Sequence, residues 1–208
     1  MNSYRISSRD YLSRARNLLS FGDTASLFYS AFELRCGVEA RLHEYLEGAR
    51  DIASVKKGLW QIKHLNREVE NKFDIYVKAV VVTLINPATK KEVEYAYTPV
   101  TALLRKIGER LGDYLHYVSD EKIKSKEYLE RLRKYLVIGI KELEFSTTGT
   151  LLGLPRFLKS GGNHNMFLIF ESDAAPEFLK EGDVGLLRMT FRVVKKDEIT
   201  GAITFKPA

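Results

Sequence analysis

The chain has very little cysteine, and this excludes disulfide-stabilised proteins and proteins with cysteine-based metal sites. Cys36 is the only cysteine among 208 residues, so the chain has neither an internal disulfide framework nor a cysteine-based metal pattern. We expect its thiol to lie in a helix core.

Long apolar runs are missing too, because no stretch reaches the roughly 18 apolar residues of a transmembrane helix. The opening residues MNSYRISSRD lack the apolar stretch of a signal peptide. We therefore expect a cytoplasmic protein with no membrane partner.

The motifs of common hydrolytic and nucleotide-dependent enzymes are also absent. The sequence contains no HExxH pair, no Gly-x-Ser-x-Gly and no nucleotide-binding glycine loop. The stretch at 149–153 lacks the lysine of a P-loop. His43 and His64 have no second ligand at metal spacing. The backbone amides of the loop at 160–165, which holds His164, could bind an anion, but we favour a plain hairpin or connecting turn. We expect neither a metal nor a cofactor.

What the chain does contain is ordinary globular composition with a basic balance. Its 45% hydrophobic and 29% charged residues allow one large domain or two small ones. The net charge of +6 suits a polyanionic partner such as RNA. Because the basic residues are interleaved with acidic ones, charge alone gives RNA only a modest preference.

Helical periodicity dominates the first two thirds of the sequence. Apolar steps of three and four predict a helix over 7–19 that is stopped by Gly22, and a long second helix that ends at Gly48. The second helix is predicted to bury one stripe of side chains: Leu27, Ala31, Leu34, Val38, Leu42 and Tyr45. A third helix is predicted within 58–73. Pro99 opens a fourth, and Ser119 with Asp120 caps a fifth over 119–140.

Two other parts of the chain have the pattern of strands. Residues 74–85 and 92–97 predict a β-hairpin with its turn at 86–89. After Lys141, the runs ELEFSTTG, MFLIFES, VGLLRMTFRVVKK and ITGAITF predict about four strands, which could extend the hairpin's sheet. The sequence therefore predicts an α+β fold: a mainly α-helical bundle over 1–140 with a β-hairpin inserted at about 74–98, and a small C-terminal antiparallel β-rich element over 141–208.

The fourth helix carries two side chains that suit phosphate chemistry. Arg110 can hold a phosphate, and His116 can move a proton near neutral pH. A continuous helix turns by about 100° per residue, so these side chains would point about 120° apart and could not converge on one phosphate. A helix break near Gly112, a partner chain across a dimer axis, or a separate site for each residue would remove the difficulty.

Two glycines on this helix predict a close neighbour. Gly108 and Gly112 lie one turn apart, on the side that also carries Arg105, Glu109 and His116. Each costs about 1 kcal/mol relative to alanine, which suggests close approach by another backbone. We expect a second copy of the helix, or a nucleic-acid strand, in that groove.

A simpler interpretation applies to each of these charged residues. His116 could be a boundary histidine bonded to Asp113 or to a backbone carbonyl, while Arg110 packs its stem against Tyr117 or Tyr114. On the second helix, Arg35 and Glu39 either line the same cleft or form an intrahelical ion pair at the edge of the bundle. Their four-residue spacing favours the ion pair.

Three features together resemble the HEPN superfamily of small helical nucleases and inactive relatives, common in prokaryotic toxin–antitoxin and antiviral systems. The segment AFELRCGVEARLHEYL is similar to the aromatic, Glu-Leu-Arg and Glu pattern of HEPN helices. The segment RLGDYLH, from Arg110 to His116, is similar to the family signature of an arginine, four to six residues and a histidine. This signature lies on a late helix after an insertion. The resemblance covers the chain from about Arg9 to Leu136.

The resemblance implies a metal-independent endoribonuclease that acts as a homodimer in a defence or toxin–antitoxin system. Arg110 would neutralise charge on the phosphate, and His116 would act as general base or acid toward the ribose 2′-hydroxyl. From their places on the two helices, the residues predicted to support this pair or to line the cleft are Arg105, Glu109, Gly112, Asp113, Tyr117, Arg35 and Glu39. The implied partners are RNA, a second copy of the chain, and an antitoxin or other protein.

One residue departs from the family pattern. Leu111 follows the motif arginine, where active members usually place a polar residue. The alternative function is therefore a catalytically inactive HEPN-like dimerisation or adaptor module that binds RNA or a protein partner.

Overall fold

The computed structural model describes residues 6–48, 61–65, 67, 78–87, 90, 92–153, 156–160, 163–167 and 188–202. Over these residues the fold is α+β and mainly helical, as predicted. The chain divides into two compact units, Met1–Lys72 with Val100–Thr147, and Phe73–Pro99 with Thr148–Ala208. The inserted hairpin and the C-terminal element thus belong to one unit.

The first unit is built from helices. Their bounds are α1 (Ser8–Phe21), α2 (Thr24–Gly48), α3 (Ala102–Leu115), α4 (Asp120–Lys124) and α5 (Lys126–Thr148), with a further helical stretch at 62–65. All six side chains of the stripe predicted on α2 are buried. Ile62 and Leu65 are buried as well, and the rest of the predicted third helix lies outside the described residues.

Local caps explain where α1 begins and ends and where α2 begins. Ser7 and Asp10 form a capping box at the start of α1. Gly22 ends that helix at φ 78°, a left-handed conformation that glycine adopts without a Cβ clash. Asp23 then accepts the backbone N–H of Ser26 at 2.9 Å and begins α2.

The predicted starts of the last two helices need correction. The fourth helix begins at Ala102 rather than Pro99, because the hydroxyl of Thr101 accepts the backbone N–H of Leu104 at 3.1 Å. The predicted fifth helix is interrupted at Ser125, which separates α4 from α5. The hydroxyl of Ser125 accepts the N–H of Tyr128 at 3.3 Å and so caps α5.

The strand predicted from ELEFSTTG is wrong, because α5 continues to Thr148 and the predicted boundary at 140/141 falls inside it. The hydroxyls of Ser146 and Thr147 donate to carbonyls one turn earlier, at 3.1 and 3.0 Å, so these polar side chains are hydrogen-bonded within the helix. Leu143 and Phe145 are buried. Tertiary burial therefore overrides the β preference of this segment.

The second unit holds the strands. Their bounds are β1 (Ala79–Ile85), β2 (Glu92–Tyr97), β3 (Arg156–Ser160), β4 (Asn163–Phe167) and β5 (Arg188–Val194), followed by helix α6 (Lys196–Ala202). The predicted hairpin is confirmed over its described residues, with Ile85 opposite Glu92. Strand β5 pairs antiparallel with β1 on the side away from β2, giving the order β2-β1-β5.

Three details of this unit differ from the sequence prediction. The unpredicted strand β3 pairs antiparallel with β4, Ser160 opposite Asn163, which supports the hairpin interpretation of 160–165, but His164 lies in β4 itself. Residues 199–202, predicted as part of a strand, are helical. Glu198 lies in the first turn of α6 and accepts the N–H of Lys195 at 3.4 Å, while Ile199 is buried. The strand predicted around VGLLRMTFRVVKK is confirmed over 188–194.

Candidate functional site

Helix α3 positions the predicted Arg–His pair. It runs unbroken through Gly112 to Leu115, so the proposed helix break near Gly112 is wrong. His116 is the residue that ends the helix, with extended backbone angles of φ −83° and ψ 177°. The angle of about 120° between Arg110 and His116 assumed a helical histidine, and it therefore no longer applies. Both side chains are exposed.

Arg110 is held by a tyrosine of α5. Its Nη1 donates to the hydroxyl of Tyr135 at 3.0 Å, and its Cζ lies 5.9 Å from the centroid of that ring. The sequence did not predict this hydrogen-bond partner, since it suggested only that the stem of Arg110 packs against Tyr117 or Tyr114. The contact restrains an exposed guanidinium, which would otherwise sample many rotamers.

Tyr135 belongs to a cluster of three tyrosines. The ring centroid of Tyr114 lies 5.0 Å from that of Tyr128 and 6.2 Å from that of Tyr135. Burial raises the pKa of Tyr114, and the Tyr135 and Tyr128 hydroxyls raise it further. Burial, followed by the nearby Asp113 carboxylate, raises the pKa of Tyr128. Both phenols therefore stay protonated at neutral pH and give Tyr135 a neutral, aromatic support.

The close approach predicted at the two glycines is present, but its partner is the chain itself. A Cβ on Gly108 would meet Ile62 Cδ1 at 2.7 Å and Val38 Cγ1 at 3.4 Å. A Cβ on Gly112 would meet Arg35 Nη1 at 2.6 Å. The expectation of a second copy or a nucleic-acid strand in this groove is therefore wrong, because α2 and the 62–65 helix occupy it.

Arg35 joins α2 to α3 and pairs with Glu39. Its Nε lies 3.1 Å from Glu39 Oε1, the intrahelical pair that the spacing favoured. Its Nη1 donates to the carbonyl oxygen of Gly108 at 3.1 Å. Burial raises the pKa of the Glu39 carboxyl, and Arg35 opposes that rise. Arg35 therefore connects α2 to α3, and Glu39 holds its guanidinium in place.

The predicted site residues therefore divide between two sides of α3. At about 100° per residue, Arg110 points about 160° away from Gly112 and so away from the contact with Arg35. Arg35 and Glu39 do not share a cleft with Arg110. Glu109 and Asp113 are exposed and Arg105 is half-buried, whereas Tyr117 is 95% exposed beside His116.

Sequence reasoning missed the tyrosines of α5. Tyr128 and Tyr135 are seven residues apart, a spacing that places them on one face of a helix. That spacing was the available signal, although the surrounding charges favoured a solvated surface. Arg110 and Tyr135 are 25 residues apart in sequence, so no local pattern joins them.

Two other kinds of reactive site, a nucleophilic thiol and a metal centre, were considered among the described residues. Burial raises the pKa of the Cys36 thiol to about 11, with Glu39 and Glu33 adding to the rise, so the thiol is protonated at neutral pH. The part of the chain that the structure describes contains no group of three or more His, Cys, Asp or Glu side chains placed to hold a metal. Among the same residues, no helix combines the length and apolar character needed to cross a membrane.

Comparisons with protein-family models, curated proteins and solved structures gave no significant match.

Proposed function

We propose that this chain is a HEPN-like, RNA-binding endoribonuclease of a defence or toxin–antitoxin system, acting in the cytoplasm without a metal. The observation that carries the proposal is the placement of Arg110, which is exposed and held by Tyr135, on the helix that ends at exposed His116. A restrained cation on this helix and an imidazole at its end can supply charge stabilisation and proton transfer for phosphodiester cleavage.

The chemistry follows from these two side chains. Neutral His116 removes the proton of a ribose 2′-hydroxyl, whose oxygen attacks the adjacent phosphorus. The bond from phosphorus to the 5′-oxygen breaks, which leaves a 2′,3′-cyclic phosphate and a 5′-hydroxyl that takes up a proton. Arg110 stabilises the negative charge that builds on the phosphate oxygens.

A homodimer remains part of the proposal, but its contact surface changes. Since α2 fills the groove at Gly108 and Gly112, the dimer contact would lie on the exposed part of α3 and the residues after it. That surface includes Arg110, His116 and Tyr117. A two-fold axis there would let Arg110 of one chain act beside the partner's histidine.

The test is cleavage of end-labelled single-stranded RNA in the presence of EDTA, with the products analysed for cyclic phosphate ends. His116→Ala should abolish cleavage, and Arg110→Met should reduce it at least about 100-fold. His64→Ala is the matched control, because His64 is an exposed histidine on another helical stretch. Cleavage that persists in His116→Ala, or in RNA lacking the attacking 2′-hydroxyl, contradicts the mechanism.

One observation favours the second candidate, an inactive HEPN-like dimerisation or adaptor module. Leu111 is 0% exposed, so the position after Arg110 serves the core and supplies no polar group to RNA. This candidate predicts no cleavage under any of these conditions. It also predicts RNA binding, or binding of a protein such as an antitoxin, that is unaffected by His116→Ala.

A further inference from the structure

Tyr117 directly follows the histidine of the proposed reaction, and its side chain is almost entirely exposed. Its exposed fraction is 95%, whereas that of Tyr29, an exposed tyrosine of α2, is 62%. Consecutive Cα atoms are about 3.8 Å apart, so a nucleotide whose 2′-hydroxyl lies at His116 also lies beside Tyr117. The faces of this ring are open to a ligand.

The backbone around Tyr117 is held between two helices. Helix α3 ends at Leu115 and α4 begins at Asp120, which leaves 116–119 as the connection. Leu115 and Val118, on either side of the exposed residues, are half-buried. The ring is thus displayed from an anchored segment, and a tyrosine has few side-chain dihedral angles to fix. Little conformational freedom is therefore lost when a ligand contacts it.

Exposed cations flank Tyr117 in the chain. Arg110 precedes it on α3 and is held by Tyr135. Lys122 and Lys124 follow it in the last turn of α4, and both are exposed. Proteins that bind single-stranded nucleic acids combine cations, which contact the phosphate backbone, with aromatic rings on which bases stack. This part of the chain holds both kinds of group.

The surroundings of Tyr117 favour a nucleic-acid ligand over a second copy of the chain. Asp113, Asp120 and Glu121 are exposed, as are the two lysines, and the centres of protein–protein interfaces are depleted in charged residues. A single ring among charged groups does not supply the packed apolar centre of a dimer contact. The acidic pair at 120–121 lies in the first turn of α4 and the lysines in its last turn, so we expect phosphates to approach at the last turn.

We propose that the ring of Tyr117 stacks on an unpaired base beside the cleaved phosphodiester, so that the substrate is RNA with an unstacked base at the cleavage site. The inference rests on the proposed function, because it places the nucleotide that His116 deprotonates next to Tyr117. Paired bases stack on one another inside a duplex, whereas those of single-stranded loops and ends can be splayed out onto an aromatic ring. Lys122 and Lys124 bind flanking phosphates.

The first test measures binding without cleavage. Its probe is a fluorescein-labelled single-stranded RNA in which fluorine replaces every 2′-hydroxyl, compared by fluorescence anisotropy with the same backbone lacking its bases. The parent chain should bind the strand with bases at least about tenfold more tightly. Tyr117→Leu should bind both strands alike, whereas Tyr29→Leu, the matched change on α2, should discriminate as the parent does. A Tyr117→Leu variant that still prefers the strand with bases would overturn the proposal.

The dependence of binding on salt separates the lysines from the ring. Lys122→Gln/Lys124→Gln should lower the slope of log affinity against log salt concentration by about 1.4, at about 0.7 for each phosphate contact, and should keep the preference for bases. Tyr117→Leu should keep the slope and lose the preference. If Tyr117→Leu changes the slope and keeps the preference, Tyr117 acts on the phosphate contacts and the stacking is wrong.

The position of the stacked base is tested with a fluorinated strand that retains a single 2′-hydroxyl and can therefore be cleaved at one place only. Each base near that position is removed in turn. Removal of one base beside the cleaved bond should lower kcat/KM about tenfold in the parent chain and have no effect in Tyr117→Leu. An equal loss in both chains would overturn the proposal.

The outcomes distinguish this inference from the proposed reaction. Base-dependent binding through Tyr117 in a chain that cleaves no RNA would support the stacking and contradict the ribonuclease. Cleavage that requires His116, with the base preference unchanged in Tyr117→Leu, would support the ribonuclease and overturn the stacking. A parent chain that binds no RNA would overturn both. If Tyr117→Leu loses a self-associated mass in light scattering and binds RNA as the parent does, Tyr117 is a dimer contact and the proposal fails.

Discussion

The guanidinium of Arg41 donates through Nε to the backbone carbonyl of Ser146 at 2.9 Å, with its side chain entirely buried. Its Nη1 donates to Glu44 Oε2 at 2.9 Å, and that carboxylate accepts the backbone N–H of Ser8 at 2.7 Å. One arginine thereby links the end of α5 to the start of α1. Its charge also suits the partial negative charge at a helix C-terminus.

Replacing Arg41 with methionine should destabilise the helical unit. The change leaves the Glu44 carboxylate without its cation and the Ser146 carbonyl without this donor. We expect the free energy of unfolding to fall by about 3 kcal/mol, measured by urea denaturation with far-UV circular dichroism.

Arg16→Met is the control for this change. Arg16 pairs with Glu144 at 2.9 Å, but both side chains are 54% exposed. An exposed pair contributes little, so this variant should stay within about 0.5 kcal/mol of the parent chain. Similar losses in both variants would show that burial of Arg41 adds nothing to its contribution.

Some features of α2 could be predicted from the sequence and others could not. The stripe that includes Leu34 and Val38 could be predicted because helical periodicity is local. The role of Arg41 could not, since its partner Ser146 lies 105 positions away on a segment whose composition favours a strand. The close approach at Gly112 followed from the cost of a helical glycine, but whether Arg35 or a second chain filled the space depended on tertiary packing.

Two glycines provide a contrast between a movable and an immovable neighbour. A Cβ on Gly149 would lie 2.8 Å from the backbone oxygen of Ala96 and from the backbone nitrogen of Thr98. Because neither atom can move alone, Gly149→Ala should destabilise its unit by about 2 kcal/mol or more. Hydrogen exchange of the β1 and β2 amides measures this loss.

Gly112→Ala should have a much smaller effect. The atom in its way is the terminal Nη1 of Arg35, which can swing aside, and alanine gains about 1 kcal/mol of helix propensity. We expect a net change within about 1 kcal/mol, measured by exchange of the α3 amides. A larger loss for Gly112→Ala than for Gly149→Ala would contradict this assignment of rigid and flexible neighbours.

Glu39 should make stability depend on pH in a specific direction. Burial raises its folded-state pKa despite the opposing effect of Arg35, so the folded chain binds this proton more tightly than the unfolded chain does. The stabilising contribution is complete below the unfolded pKa and is lost as the pH rises through the folded one. Glu39→Gln, which mimics the neutral carboxyl, should therefore be more stable than the parent at neutral pH.

The advantage of Glu39→Gln should shrink as the pH is lowered below the ordinary pKa of a glutamate, because the parent carboxyl is then protonated too. Urea denaturation at neutral and at acidic pH measures the difference. Glu127→Gln, which removes the 83% exposed partner of Arg131, is the control for loss of a charge from a surface ion pair. A loss of stability for Glu39→Gln that is greatest at neutral pH would mean that the ion pair outweighs burial.

In the proposed ribonuclease, Tyr135 should act on RNA through Arg110. The change Tyr135→Phe keeps the ring beneath the guanidinium but removes the hydroxyl that accepts from Nη1 at 3.0 Å. An exposed hydrogen bond of this kind contributes modestly, so we expect RNA affinity to fall about threefold. Arg110→Met should reduce it about tenfold, because the charge on the phosphate contact is lost as well. Fluorescence anisotropy with single-stranded RNA at fixed salt measures both effects.

In an Arg110→Met background, Tyr135→Phe should have no further effect, since its only route to RNA is the arginine. Tyr128→Phe, in the same tyrosine cluster but with its ring tilted against that of Tyr114, should bind RNA as the parent does. An additive loss in the double variant would separate Tyr135 from Arg110 and show that the tyrosine contacts RNA by itself.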